Sequence, residues 1–223
     1  MTRFYLVRHG QIERNHGEWH VDPADPPLSQ QGRMQAAHVS DYLRYRAIAR
    51  LYASPLRRAQ ETAAPLAAML HLPLRIDARL RERMNFGDLP GQSLEDFHAM
   101  WERASRERDS VPPVGDSSRC AGERIEHFIR DVHVELVPGE LVNEQGSSGE
   151  VVAFTHGGII ADFLLNVCTV AQLEALSPAF VAQPYSGEIM RNGAITVVEY
   201  DPAGERSFSV TAIALTAHLS PQP

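Results

Sequence analysis

The sequence has no lysine: every one of its 21 basic residues is arginine, set against 28 acidic residues and 10 histidines in 223 residues. That absence excludes a Schiff-base lysine, a Ser–Lys dyad and the lysine of a Walker-type phosphate loop. Any phosphate or carboxylate must be held by arginine, histidine, hydroxyls or backbone amides. Basic charge is also short overall, with a formal net charge of −7. An acidic chain lacks the basic face that nucleic acid or an anionic membrane requires. Cysteine is scarce, and Cys120 and Cys168 alone make no disulfide framework. Free thiols suit a reducing compartment, and both read as buried small hydrophobes. No apolar run approaches the ~18 residues of a membrane span. The segment Met1–Arg8 is interrupted by charge too soon for a signal peptide, and no Asn-x-Ser/Thr sequon occurs. The expectation is a cytoplasmic protein with no nucleic-acid and no membrane partner.

What is present is ordinary globular composition, 43% apolar and 22% charged. A single domain over residues 1–223 would bury roughly 70–75% of its unfolded surface and need no staple. Phe4 to Val7 reads as a short buried strand ending at Arg8-His9-Gly10. Residues 11–27 are polar and proline-rich, a loop. Ser29 caps a helix running to about Arg46. Leu51-Tyr52-Ala53 is a second strand; Ser54 then caps, with Pro55 at the first position of a helix to about His71. Ile76 marks a third strand, and residues 93–108 and 119–136 read as helices. Val151 to Thr155 is the best buried strand, followed by a helix from Ile159 to about Val167. Residues 194–200 and 207–215 alternate as late strands. Strands alternating with helices imply an α/β sandwich with a mostly parallel sheet, where ligands bind beyond the carboxyl ends of strands.

Three chemistry-bearing clusters fall at such ends: Arg8-His9-Gly10, Ser54 to Arg58, and His156-Gly157-Gly158. Alone, the first is also a strand-end arginine with a satisfied histidine, and the third a plain strand–helix turn. The second puts Arg57 and Arg58 at a helix N-terminus, the wrong end for cations unless an anion is bound there. Glycines at the third let backbone amides approach a ligand. Together they describe an anion pocket, and Glu82 in Leu80-Arg81-Glu82-Arg83 supplies a carboxylate beside it. Trp101, in Phe97-x-x-x-Trp101, reads first as core and second as a wall of the substrate entrance. His16 and His20 lie in a loop without a third obvious ligand, so no metal site is expected. His127 with Asp131, and His133 with Glu135, read as solvated helix faces.

These motifs, in this order, resemble the histidine phosphatase superfamily, in the branch of cofactor-dependent phosphoglycerate mutases and broad-specificity phosphatases. Arg8-His9-Gly10 is similar to its signature, with Asn15 matching the asparagine that follows. Leu28-Ser29, Gly32 and Gln35-Ala36 match its helix start. Ser54-x-Leu56-x-Arg58-Ala59-x-x-Thr62-Ala63 matches the second signature and selects Arg58 over Arg57. Leu80-x-Glu82 with Gly87 and Gly91, and then His156-Gly157-Gly158, match the rest. The acid-phosphatase and phytase branch is less similar, because it expects an arginine where this chain has Ile12.

The resemblance implies a three-layer α/β/α sandwich of the phosphoglycerate mutase type, and an enzyme that uses no metal or cofactor. By it, His9 is the nucleophile that takes the phosphoryl group, and Glu82 the proton donor to the leaving oxygen. Arg8, Asn15, Arg58 and His156, with the Gly157 amide, hold the phosphoryl oxygens. The implied activity is phosphoric monoester hydrolysis, of histidine-type acid or broad specificity, through a phosphohistidine, on a small phosphorylated metabolite. A homodimer is left open. The alternative is a phosphoglycerate mutase. The resembling mutases use a lysine and an arginine pair to hold the substrate carboxylate; here there is no lysine, and Trp101-Glu102-Arg103 puts glutamate where the pair needs arginine. Glu82-Arg83 followed by Gly87 is nevertheless the mutase-like pattern. A third reading, an inert phospho-ligand-binding module, would go with loss of the nucleophile or the acid, and both are present.

Overall fold

The computed structural model describes residues 1–13, 25–136 and 149–219. Its elements, in chain order, are β1 (Thr2–Arg8), α1 (Gln30–Leu43), β2 (Ile48–Ala53), α2 (Arg57–Leu70), β3 (Leu74–Ile76), α3 (Leu94–Arg106) and α4 (Ser118–Leu136). There follow β4 (Glu150–Thr155), α5 (Gly157–Val167), α6 (Val170–Leu176), α7 (Pro178–Ala182), β5 (Ile195–Tyr200) and β6 (Phe208–Leu215). The six strands form one sheet in the order β3-β2-β4-β1-β5-β6. The first four are parallel; β5 runs antiparallel to β1, and β6 to β5.

The period-2 alternation of strand side chains builds two cores. Phe4 and Leu6 of β1, with Val151 and Ala153 of β4, pack under α4 and α5. Tyr5 and Val7, with Val152 and Phe154, pack under α1 and α2. Helices on both faces of a mostly parallel sheet give a three-layer α/β/α sandwich. Central strands buried on both sides read as continuous apolar runs rather than alternating ones, which is why Phe4 to Val7 and Val151 to Thr155 stand out in the sequence.

Helix boundaries depart from expectation where tertiary contacts intervene. Ser54 is not a helix cap: α2 begins at Arg57, with Leu56 in extended conformation as its N-cap and no side-chain cap bond. α1 stops at Leu43 rather than near Arg46, and α5 begins at Gly157 with His156 as its N-cap. The short helices α6 and α7 were not foreseen; Thr169 closes a capping box on α6, and Pro178 opens α7. His133 is not on a solvated face: its ring is buried, with Nδ1 2.8 Å from Thr2 Oγ1. Cys120 is exposed and Cys168 half-buried. No helix among the described residues is long and apolar enough to cross a membrane.

Candidate active site

β1, β4 and β2 end at the same edge of the sheet, and the turns that leave them bring His9, His156 and Ser54 together. His9 follows the last residue of β1, its amide donating to Thr155 O at 2.9 Å. The turn is fixed from three sides. Gly10 N donates to Thr62 Oγ1 at 2.9 Å, Asn192 Nδ2 donates to His9 O at 3.0 Å, and Gly193 N donates to Arg8 O at 3.0 Å. The start of α1 packs so closely that a Cβ on Gly32 would stand 2.0 Å from Gln11 O. Thr62 and Gly32 therefore belong to the motif because they shape the backbone that carries His9.

The His9 ring is 8% exposed, and its Nδ1 donates to Gly10 O at 2.8 Å. A carbonyl only accepts, so Nδ1 carries the proton. Burial, followed by the charges of Arg58 and Arg8, pushes the imidazole well below the usual histidine value. A neutral ring with its proton on Nδ1 keeps the Nε2 lone pair available. His156 meets it edge to face, with ring centroids 5.2 Å apart. It too is driven well below the usual value, by burial first and then by Arg58, His9 and Arg8. Its Nε2 lies 2.8 Å from Ser54 Oγ, while its buried Nδ1 has no hydrogen-bond partner among the described residues.

The two arginines of α2's first turn part ways. Arg57 is largely exposed and pairs with Glu61 at 2.6 Å. Arg58 is 7% exposed, donates to Asn85 Oδ1 at 2.7 Å and lies 3.5 Å from Asp25 Oδ1. Arg8 reaches Met190 O, and runs past Gly157, where a Cβ would sit 3.1 Å from its Cδ. Glu82 accepts from Gly158 N at 3.0 Å and from Arg83 N at 2.9 Å, which pins its carboxyl at the start of α5. Arg8, His9, Arg58, Glu82, Gly157 and Gly158 line a cavity of about 380 Å³. His156 stands beside it through its contact with His9. Such a constellation can bind a dianion, present a neutral imidazole to it, and offer a carboxyl across the site. Asn15, His16 and His20 lie outside the described residues.

Sequence reasoning missed Asn85 and Ser54 as partners of Arg58 and His156. Ser54 has a signal, its place in the second motif, but Ser-Pro before a helical run reads as a cap. Asn85 had none. Arg83 proves to be buried, 1% exposed, paired with Asp162 at 3.0 Å and stacked 3.8 Å from the centre of the Trp101 ring. Trp101 lines the cavity, as its second reading had it.

The chain is 36% identical over 166 residues to glucosyl-3-phosphoglycerate phosphatase of Mycobacterium tuberculosis, covering 71% of this chain and 72% of that protein. It is 29% identical over 175 residues to the 2,3-bisphosphoglycerate-dependent phosphoglycerate mutase of Chelativorans sp., 73% of this chain and 84% of that one. The fold matches a mycobacterial glucosyl-3-phosphoglycerate phosphatase solved with inorganic phosphate, with a TM-score of 0.71 and 26% identity over 99% of this chain and 100% of the other. The sequence pattern of the histidine phosphatase superfamily, branch 1, matches residues 4–211, from the strand that carries His9 to the last strand of the sheet. The chain belongs to that superfamily.

Proposed function

We propose that the protein is a metal-independent phosphomonoesterase that works through a phosphohistidine on His9. The observation that carries the reading is the state of His9: buried, neutral, its Nδ1 proton tied to Gly10 O, beside a buried Arg58. His9 Nε2 attacks phosphorus in line as the ester P–O bond breaks. Arg8, Arg58 and His156, with the Gly157 amide and Asn15, hold the equatorial oxygens. Phosphoryl transfer passes through a loose transition state, so positioning and charge stabilisation carry most of the catalysis. Arginine suits that task because its fork grips two oxygens at once. Protonated Glu82 gives its proton to the leaving alkoxide. The resulting carboxylate then takes a proton from water, which attacks the phosphohistidine and releases inorganic phosphate with His9 neutral again.

Ser54 has a part in this scheme. A phosphoryl oxygen requires a donor, so His156 must carry its proton on Nδ1. Its Nε2 then accepts from the Ser54 hydroxyl, whose oxygen still accepts Leu56 N at 3.3 Å. The mutase reading stays second. Arg83, which made the motif mutase-like, is committed to Asp162 rather than to the cavity, and Arg103 pairs on the surface with Glu107.

The deciding experiment is acid–base-controlled trapping of ³²P on the protein. A base-stable, acid-labile label should form on wild type and be absent from His9→Ala. A panel of phosphomonoesters, run with chelator and beside a 3-phosphoglycerate to 2-phosphoglycerate assay, completes it. Loss of turnover with chelator and its return with Mg²⁺ would sink the proposal.

A further inference from the structure

We propose that the alcohol released by this enzyme carries a planar, uncharged ring, stacked against an aromatic wall beside Glu82; this rests on the phosphomonoesterase reading. The wall is a row of four rings. Phe86 meets Phe97 edge to face at 5.7 Å, Phe97 lies 6.1 Å from Trp101, and Trp101 meets Tyr185 at 6.4 Å. All four line the cavity that holds His9.

The wall's place is set by Gly158. A Cβ there would lie 2.5 Å from Trp101 Cη2 and 2.8 Å from Glu82 Oε1. The indole edge and the carboxyl that faces the leaving oxygen therefore share one small space. A group carried on the ester oxygen has these rings beside it, and planar groups gain from offset or edge contacts with them.

Charge points the same way. Among the described residues, the arginines lining the cavity are Arg8 and Arg58, both with the phosphoryl-binding groups. Arg83 stands behind the wall, its guanidinium 3.8 Å from the Trp101 ring centre and 4.7 Å from that of Tyr185, neutralised by Asp162. The Tyr185 hydroxyl is committed as well, donating to Asp162 at 2.7 Å. The described wall thus offers no second cationic fork for a carboxylate. Asn85 and Asn192 in the lining are engaged with Arg58 and with His9 O, so a phosphorylated acid would meet Gln11 and the His98 ring rather than an arginine fork with its second charge.

The test compares kcat/KM for 2-phenylethyl phosphate and adenosine 5′-monophosphate with O-phosphoserine and 3-phosphoglycerate. These are all alkyl phosphates, so the comparison turns on what the pocket holds. The ring-bearing substrates should lead by at least tenfold, and whichever of the two leads identifies an aryl-alkyl or a nucleoside source. Trp101→Ala, and independently Phe86→Ala should the first variant fold poorly, should cut that lead about tenfold, mainly through KM. A preference for O-phosphoserine or 3-phosphoglycerate would overturn the ring assignment while leaving the phosphatase reading intact. So would a lead that survives both substitutions. Hydrolysis of none of the four, with no phosphoenzyme, would overturn both.

Discussion

Arg57 and Arg58 are neighbours in sequence with the same chemistry, and only burial separates them. Arg58 is enclosed with Asn85 and Asp25 beside His9, whereas Arg57 reaches outward to Glu61. Arg58→Ala should remove roughly 2.7–4 kcal/mol of transition-state stabilisation, the usual cost of losing a preorganised donor to developing charge. Arg57→Ala, an exposed change, should stay within about 0.5 kcal/mol in stability and leave phosphoenzyme formation close to wild type. Single-turnover kinetics on both variants measures the contrast, and equal losses would undo the assignment. Ser54→Ala leaves His156 Nε2 without the hydroxyl that sets its proton. A lost hydrogen bond of about 0.5–1.5 kcal/mol corresponds to phosphoenzyme formation slowed about two- to twelvefold; an unchanged rate would remove Ser54 from the scheme. The contrast between these residues also marks what was legible. Arg58 is distinguished from Arg57 by the resemblance to the family's second signature. Ser54 could not be assigned, because Ser-Pro before a helical run has the local signature of a cap, while its partner His156 is 102 residues away.

Elements with a strong apolar or periodic signature of their own are readable, and those too short to carry one are not. β1 and β4 announced themselves because central parallel strands are apolar on both faces. α6 and α7 did not: they have 7 and 5 residues, too few for a helical period to emerge. The start of α5 shows the same limit. Gly157-Gly158 reads as a helix entrance suited to an anion, and the structure adds that Gly158 is small because the Trp101 ring and the Glu82 carboxyl occupy its side-chain space. Neither obstacle is free to swing aside. Trp101 is backed by Arg83, and Glu82 is held by two backbone amides. Gly158→Ala should therefore displace both, and a displacement near 1 Å can cost on the order of 10²-fold. The measurement is kcat/KM together with the urea midpoint. A variant of wild-type activity would mean that α5 shifts as a unit and that this close approach does not matter.

The whole molecule concentrates buried, neutral histidines in one acidic chain, and that makes its stability depend on pH in a definite direction. His9 and His156 are held well below the ordinary value of 6.5, first by burial and then by the arginines around them. His133 and His218 are lowered too, chiefly by burial. Below pH 6.5 the unfolded chain takes up more protons at these positions than the folded protein does, so stability falls with pH. It is at full strength above 6.5. Asp162 acts the other way. Burial, opposed by Arg83, raises its carboxyl to about 6 from 3.8, so between those values the folded state holds a proton the unfolded state lacks. Two buried histidines at the candidate site, set against one carboxyl, leave the unfolded state with the larger proton uptake on acidification. His133 and His218 act in the same direction, so Tm falls as pH drops below 6.5. Thermal melts in phosphate-free buffer from pH 7.5 to 5 should be flat at first and then decline below 6.5. His9→Gln removes one of the two protons and should make the decline shallower. A Tm that holds steady or rises down to pH 5 would mean that the two rings are not kept neutral by the fold, and the proposed nucleophile would then need another route to its free lone pair.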